Sequence, residues 1–122
     1  MEFKNLVAEG DFKITSVNLG EDHGTLNMRG QLPGFGDVWV DYTLTPGHGD
    51  DAHARGMVTA DGRALAEDGT MLAGKIAGVW RRDGGDLRMI TLDDVSNGDQ
   101  VIVHIDVDLR VDTAHLKVYQ ID

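Results

Sequence analysis

Apolar and polar residues alternate with a period of two along most of the chain, which is the pattern of β-strands with one buried face. The clearest run places six apolar residues on one face, with polar residues between them: Val101, Val103, Ile105, Val107, Leu109 and Val111. Similar alternation covers residues 25–32 and 37–44. Strands that are apolar on one face only are typical of antiparallel sheets.

Turn signals separate these runs at short intervals. Pro33-Gly34 and Pro46-Gly47 provide the two residues that the centre of a type II turn favours. Hairpin dipeptides occur at Asp61-Gly62, Asp68-Gly69, Asp83-Gly84 and Asn97-Gly98. The signals predict eight strands, over residues 2–18 with a break near Gly10, then 23–32, 36–45, 52–61, 69–82, 85–95, 99–110 and 113–121.

No segment shows the spacing of apolar residues that a helix requires. Long strands at hairpin spacing predict a meander, and closing the meander removes exposed sheet edges. We therefore expect an all-β fold in which residues 1–122 form a single antiparallel up-and-down β-barrel of about eight strands. A two-sheet β-sandwich is the alternative.

Composition narrows the functional classes. The length of 122 residues suits one domain, and the formal charge of 11 − 21 = −10 disfavours nucleic acid and anionic membrane surfaces as partners. No cysteine is present, which excludes disulfides and thiol catalysis. Neither a signal-peptide pattern nor an apolar run of membrane-spanning length occurs, so we expect a cytoplasmic protein.

One alternating face of a barrel must point inward, and the apolar face is the candidate. Between positions 72 and 80 this face reads Leu72, Gly74, Ile76, Gly78 and Trp80. Glycine in a strand indicates either a bend or the close approach of another group. The two glycines therefore indicate either curvature of the barrel or room for a ligand in its lumen.

The second possibility predicts a binding site for an apolar small molecule. Tyr42 would offer a hydrogen bond and Trp80 a stacking surface, while Met28, Val40 and Ile76 would shape the wall. The succession of strands resembles the lipocalin-like and allene oxide cyclase-like barrels, although Gly78-Val79-Trp80 lies far from the position of the lipocalin Gly-x-Trp signature. The resemblance implies binding of an apolar molecule, or its isomerisation or cyclisation without a cofactor.

Two further hypotheses compete with this one. Trp39 lies between Asp37 and Asp41 on the outer face, where Arg29 or Arg55 could cover its ring. An exposed tryptophan favours a docking site, so the alternative function is a non-enzymatic interaction or oligomerisation module with a solid core. Such a module would contact a partner, or a second copy of the chain, through Trp39.

The third hypothesis is a hydrolase or metal enzyme. It would use the polar stripe His104, Asp106, Asp108 and Arg110, or the loop that contains His48, Asp50, Asp51 and His53. Alternation places the stripe on the solvated face, and a glycine-flanked loop holds metal ligands poorly. We therefore expect no metal site.

Overall fold

The computed structural model describes residues 3–121, so residue 2 of the first predicted strand lies outside the described residues. It contains eight strands: β1 (Leu6–Leu19), β2 (Gly24–Leu32), β3 (Gly36–Pro46), β4 (Arg55–Leu65), β5 (Met71–Asp83), β6 (Asp86–Val95), β7 (Gln100–Asp108) and β8 (Thr113–Gln120). None of the described residues forms a helix, and so none forms a helix that could span a membrane.

The strands form one closed antiparallel barrel in sequence order. Each strand pairs with the next, and β8 returns to pair with β1. The predicted up-and-down barrel is therefore confirmed, and the sandwich alternative is wrong. The turns β2–β3, β4–β5 and β6–β7 lie at the end of the barrel where the chain begins and finishes, which we call the termini end. The other turns lie at the opposite end.

The alternation predicted from the sequence defines the core. Apolar side chains from all eight strands point inward and are buried, and the largest fully buried ones include Phe12, Met28, Tyr42, Met89 and Ile105. The inner face of β6 contains Met89 and not Ile90, which resolves a choice that the sequence left open. Burial of this apolar surface is the main source of stability for such a fold.

The two proline turns differ. Gly34 has a φ of 86°, and the Phe35 N–H donates to the Leu32 carbonyl at 3.0 Å, as a type II turn requires. The prediction at Pro46-Gly47 is wrong, because Pro46 ends β3 and Gly47 is not among the residues with positive φ. A longer loop follows instead, in which the Gly47 N–H donates to the carbonyls of Ala52 and Arg55.

The predicted turn at Asp61-Gly62 is also wrong, because both residues lie inside β4. The strand covers residues 55–65, whereas the sequence predicted 52–61. Its inward positions after Val58 are Ala60, Gly62 and Ala64, and side chains this small hide the alternation. The dipeptide therefore looked like a turn although its backbone pairs with β3 and β5.

Strand β7 is shorter than predicted. It ends at Asp108, and residues 109–112 form the turn to β8, in which Asp112 has a φ of 58°. Val111 was predicted on the buried face but is 62% exposed. The alternation of the sequence continues past the strand, because Leu109 and Val111 keep the spacing after the backbone has turned.

His115 of β8 joins the two ends of the chain across the seam of the barrel. Its Nδ1 lies 2.7 Å from the Asp11 carboxylate and its Nε2 lies 2.8 Å from the Glu9 carboxylate, both on β1. The hydrogen bond with Asp11, followed by that with Glu9, raises the pKa of the imidazole. The contacts between β8 and β1 are therefore strongest when His115 is protonated.

His115→Gln is expected to lower the free energy of unfolding by about 0.5–1 kcal/mol at about pH 6 and by less at about pH 9. The effect is small because His115 and its two carboxylate partners are solvent-exposed. The sign follows from the raised pKa: the contribution is present below the unfolded pKa of about 6.5 and is lost as pH rises through the higher folded pKa. Urea unfolding at both pH values measures the difference. An equal cost at both would contradict the assignment.

Candidate functional site

The interior of the barrel is packed in the middle and hollow at both ends. Five side chains that are fully buried or nearly so line neither end cavity: Phe12, Met28, Val58, Met89 and Ile105. The two cavities share no lining residue. Within residues 3–121, the barrel interior therefore offers two separate candidate sites, and the side chains that line each one decide what it can bind.

The cavity at the termini end has a volume of about 70 Å³. Its wall is almost entirely apolar and includes Val38, Val40, Ile76, Val101, Val103, Leu116 and Val118. Leu32, Phe35 and Leu72 line it nearer the turns. The volume is small, with room for about five to seven water molecules. It accommodates a small molecule or the end of a larger one.

The polar residues that line this cavity are Tyr42 on β3, Asp93 on β6 and Arg63 on β4. Arg63 is exposed and pairs with the outward-facing Trp39, so the inward polar side chains are those of Tyr42 and Asp93. Asp93 is partly buried, and the hydroxyl of the fully buried Thr91 donates to its carboxyl group at 2.8 Å. Burial raises the pKa of Asp93 to about 7, against the lowering effect of the Thr91 hydrogen bond. The carboxyl group is therefore present in both protonation states near neutral pH.

Tyr42 is the second polar group of the cavity. Burial, and to a lesser degree the charge of Asp93, raises the pKa of its hydroxyl, so the group stays protonated and can donate a hydrogen bond. Within the described part of the chain, no lysine, arginine or histidine forms an ion pair with Asp93. A buried carboxyl group without a cation is costly, which makes it a candidate for function.

A pair of glycines makes room for the cavity. Gly62 of β4 and Gly74 of β5 are paired in register, and both line it. A methyl group added to Gly74 would meet no atom within 4 Å. At Gly78 the same group would lie 2.0 Å from the Ile90 carbonyl oxygen of β6. The two glycines singled out by the sequence therefore differ: Gly74 opens the lumen, whereas Gly78 permits close approach of two strands.

Three of the five predicted ligand-binding residues come together at the termini end: Tyr42, Val40 and Ile76. Met28 is fully buried in the central layer and lines neither cavity. Trp80 lines the cavity at the opposite end, where its indole N–H donates to the Thr45 carbonyl at 2.9 Å. The structure therefore places Trp80 and Tyr42 in different cavities.

The opposite end forms an open cup of about 670 Å³. Apolar side chains line part of it, including Leu26, Leu44, Trp80 and Leu87, while Glu21, His23, His53, Arg82 and Asp112 lie around them. Arg82 is exposed and donates to the carbonyls of Gly84 and His53. Because its polar groups are those of turns and strand ends, the cup has no counterpart of the buried Asp93.

Asp93 and Thr91 are the functional candidates that the sequence analysis missed. Both follow from the phase of β6, since Leu87 and Met89 point inward and every second residue after them must do the same. Register confirms this, because Asp93 pairs with the inward Ile76 and Val101. An aspartate near the end of a strand looks like part of a turn until the phase is fixed.

Trp39 lies on the outer face, as predicted, but is half-buried. The Arg29 guanidinium carbon lies 4.8 Å from the centre of its ring, which confirms one of the two predicted cation–π contacts. Its partners across the two adjacent strands are Arg29 and Arg63. The tryptophan is thus flanked by two cations and does not form part of a wider apolar surface.

The residues of the third hypothesis lie outside the barrel interior. His104 and Asp106 are on the outer face of β7, with Nε2 of the imidazole 3.6 Å from the carboxylate, and Arg110 pairs with Asp86 and Asp108. In the loop after β3, Asp51 pairs with Arg55 at 2.8 Å. Among residues 3–121, no group of three or more histidine and acidic side chains could hold a metal ion.

Comparison with known proteins adds no further constraint. No family model, no curated protein and no solved structure matches this chain. The class that the fold defines is a small, closed, up-and-down antiparallel β-barrel.

Proposed function

We propose that this barrel binds a small, largely apolar molecule in the cavity at the termini end and isomerises it by proton transfer without a cofactor. The observation that supports this proposal is the Asp93 carboxyl group, which lines the same apolar cavity as Tyr42 and has no cationic partner among the described residues. Pockets that bind small molecules typically combine apolar walls with a few polar groups.

The chemistry of the two groups defines a ligand class. An apolar ketone with a carbon–carbon double bond one carbon away from the carbonyl group would place its carbonyl oxygen at the Tyr42 hydroxyl. The C–H bond of the intervening carbon would then lie at Asp93. The cavity holds the reacting end, and the rest of a larger ligand would lie toward Leu32, Phe35 and Leu72. The apolar wall lowers the polarity around the bound ligand, which strengthens the hydrogen bond from Tyr42.

In this mechanism Asp93 acts first as a base and then as an acid. Its carboxylate takes a proton from the carbon next to the carbonyl, and the electron pair of the C–H bond forms an enolate that the Tyr42 hydroxyl stabilises. The Asp93 carboxylic acid then returns the proton to the far carbon of the original double bond. The double bond moves next to the carbonyl group, which re-forms, and the carboxylate is restored. A pKa of about 7 suits both steps, because neither protonation state is scarce near neutral pH.

Exchange of carbon-bound protons for deuterium tests the mechanism without knowledge of the natural substrate. Small cyclic ketones and enones in D₂O are followed by ¹H NMR, with and without the protein. Asp93→Asn is expected to reduce catalysed exchange by about 100-fold or more, since it removes the base. Asp94→Asn is the matched control, because Asp94 is the outward-facing neighbour and is exposed. Equal exchange by the wild type and Asp93→Asn would contradict the role of Asp93.

Tyr42→Phe removes only the hydroxyl from the proposed site. We expect a folded protein in which catalysed exchange falls by about 10-fold to 100-fold, the value of one hydrogen bond to a developing charge. Ligand retention, measured by native mass spectrometry, should fall as well. A folded Tyr42→Phe variant with unchanged exchange and retention would show that Tyr42 has no part in binding.

Filling the cavity provides a test that leaves both polar groups in place. Gly74→Val adds a side chain on the lumen side of β5, where the backbone leaves open space. We expect loss of ketone binding in ligand-observed NMR with no loss of thermal stability, because valine favours strands. Ala77→Val on the exposed face of β5 is the control. Binding that survives Gly74→Val would place the ligand elsewhere.

A further inference from the structure

The outer face of β4, β5 and β6 is organised in four rows that run across the strands. A basic row contains Arg55, Arg81 and Arg88, and the next row is apolar with Met57, Val79 and Ile90. The third row contains Thr59, Ala77 and Leu92, and the fourth contains Asp61, Lys75 and Asp94. We call these rows together the β4–β6 face.

The two middle rows expose an unusual amount of apolar surface. Met57, Val79 and Leu92 are 58%, 49% and 55% exposed. On β7, Ile102 extends the Leu92 row and is half-buried. Contiguous apolar surface on the outside of a soluble domain indicates contact with another molecule.

The two middle rows continue across β7 and β8 as one apolar band, and there the chain covers the band with its own Phe3 side chain. The Phe3 ring stacks on His104 of β7 and on Tyr119 of β8, with ring centres 5.7 Å and 5.0 Å apart. His104 belongs to the Ile90 row and Tyr119 to the Ile102 row. The apolar band is thus covered over β7 and β8, whereas the exposed residues of β4, β5 and β6 have no such cover.

The charges at the two edges of the β4–β6 face are of opposite sign. One edge has three arginines, of which Arg55 and Arg88 pair with Asp51 and Asp106. The other edge has Asp61 and Asp94, together with Lys75, whose ammonium lies 3.7 Å from the Asp61 carboxylate. Along the strands the rows follow the order basic, apolar, apolar and acidic. Two copies of the face that meet in opposite strand directions therefore place each basic row against an acidic row and each apolar row against an apolar row.

We propose that the β4–β6 face binds a second copy of this chain in a two-fold dimer whose axis runs across the strands. A two-fold contact brings the same patch of both protomers together. With the axis across the strands, the strand direction reverses, so the arginine row of one protomer faces the acidic row of its partner. With the axis along the strands, arginine would face arginine, which is repulsive.

The proposed orientation also matches the apolar side chains. Each strand faces its own copy in reverse, so Ile90 meets Leu92 of the other protomer and Val79 meets Ala77, a large side chain against a small one. At the edges, Arg88 faces Asp94 and Arg55 faces Asp61. On β5, Arg81 faces Lys75, which is the one unfavourable pairing. The Lys75 ammonium can remain 3.7 Å from the Asp61 carboxylate of its own chain, which reduces its repulsion with Arg81 of the other protomer.

The oligomeric state tests this proposal directly. Native mass spectrometry and sedimentation velocity over about 1 µM to about 1 mM suit a contact of this modest size. We expect a dimer in the wild type and a monomer in Leu92→Asp. Val111→Asp is the matched control, because it alters an equally exposed apolar residue in the β7–β8 turn. A wild type that stays monomeric throughout overturns the proposal, as does a dimer that Leu92→Asp leaves intact.

Charge reversal tests the orientation. Arg88→Asp and Asp94→Arg are each expected to weaken the dimer by about 10-fold or more, and the double variant is expected to restore it, because the two charges meet across the two-fold axis. Failure of the double variant to restore a dimer, with a circular dichroism spectrum like that of the wild type, overturns the orientation. Loss of the dimer in Trp39→Ala but not in Leu92→Asp assigns the contact to Trp39 and overturns the proposal.

Discussion

Asp93→Asn is expected to raise the thermal midpoint of unfolding by up to about 12–20 °C at about pH 8 and to change it little at about pH 4. The folded pKa of about 7 exceeds the ordinary value of 3.8 by about 3 units, which corresponds to at most about 4 kcal/mol at high pH. For a domain of this length, 1 kcal/mol shifts the midpoint by about 3–5 °C. Asparagine keeps an oxygen that can accept the Thr91 hydrogen bond and carries no charge.

The pH dependence follows from the direction of this shift. Between about pH 4 and about pH 7 the folded chain retains a proton on Asp93 that the unfolded chain has lost, so the wild type loses stability as pH rises through this range. Asp93→Asn should remove this slope. A smaller slope above the ordinary histidine range should remain, because His115 also has a raised pKa. Asp50→Asn, in the exposed loop after β3, should retain the wild-type profile.

An Asp93→Asn variant with the same stability profile as the wild type would contradict the account of the buried carboxyl group. A stabilised variant that still catalyses deuterium exchange would support burial while contradicting catalysis. The two measurements therefore separate the structural claim from the functional one. For a functional site we expect both results together: Asp93→Asn is more stable than the wild type, and it no longer catalyses deuterium exchange.

Gly78→Ala is expected to destabilise the barrel by about 3 kcal/mol or more, at the upper end of the range for overpacking. The added methyl group would lie 2.0 Å from the Ile90 carbonyl oxygen and 2.8 Å from the Thr91 Cα, and backbone atoms cannot move aside as a side chain can. Gly74→Ala on the same strand and face is the matched control, since its methyl group meets nothing within 4 Å.

Gly74→Ala should be neutral or should stabilise the fold by about 0.5–1 kcal/mol, because alanine has less conformational freedom to lose on folding. Urea unfolding of the two variants gives the comparison. Similar values for both would mean that the glycines have the same role, and the difference drawn between lumen and strand packing would be wrong.

The fold could be predicted from the sequence because large apolar side chains alternate along most strands. The predicted strand bounds were wrong where the alternation is weak, and where it continues beyond the end of the strand. On β4 the small inward residues Ala60, Gly62 and Ala64 do not show the alternation, so Asp61-Gly62 was interpreted as a turn. After β7 the spacing of Leu109 and Val111 continues although the backbone turns. Closure of the barrel places β1 beside β8, far apart in sequence, and only the structure shows which residues meet at this seam.

The candidate site was predictable in part. Tyr42 stands out in sequence as a large inward side chain with a polar group, and Val40 and Ile76 share its face. Trp80 has the same character, but its position along β5 places it at the other end of the barrel. Asp93 was missed because a single inward aspartate in a strand resembles the polar end of that strand. Its neighbours in space come from β3, β5 and β7, and the sequence does not specify their register.

The measurement that tests the central claim most directly is a pH titration of the Asp93 side-chain carboxyl carbon by ¹³C NMR, with Asp93→Asn to assign the signal. The account predicts a midpoint of about 7, with no plateau reached until the solution is alkaline. A midpoint near the ordinary aspartate value of 3.8 would contradict it, because the carboxyl group would then be solvated or paired.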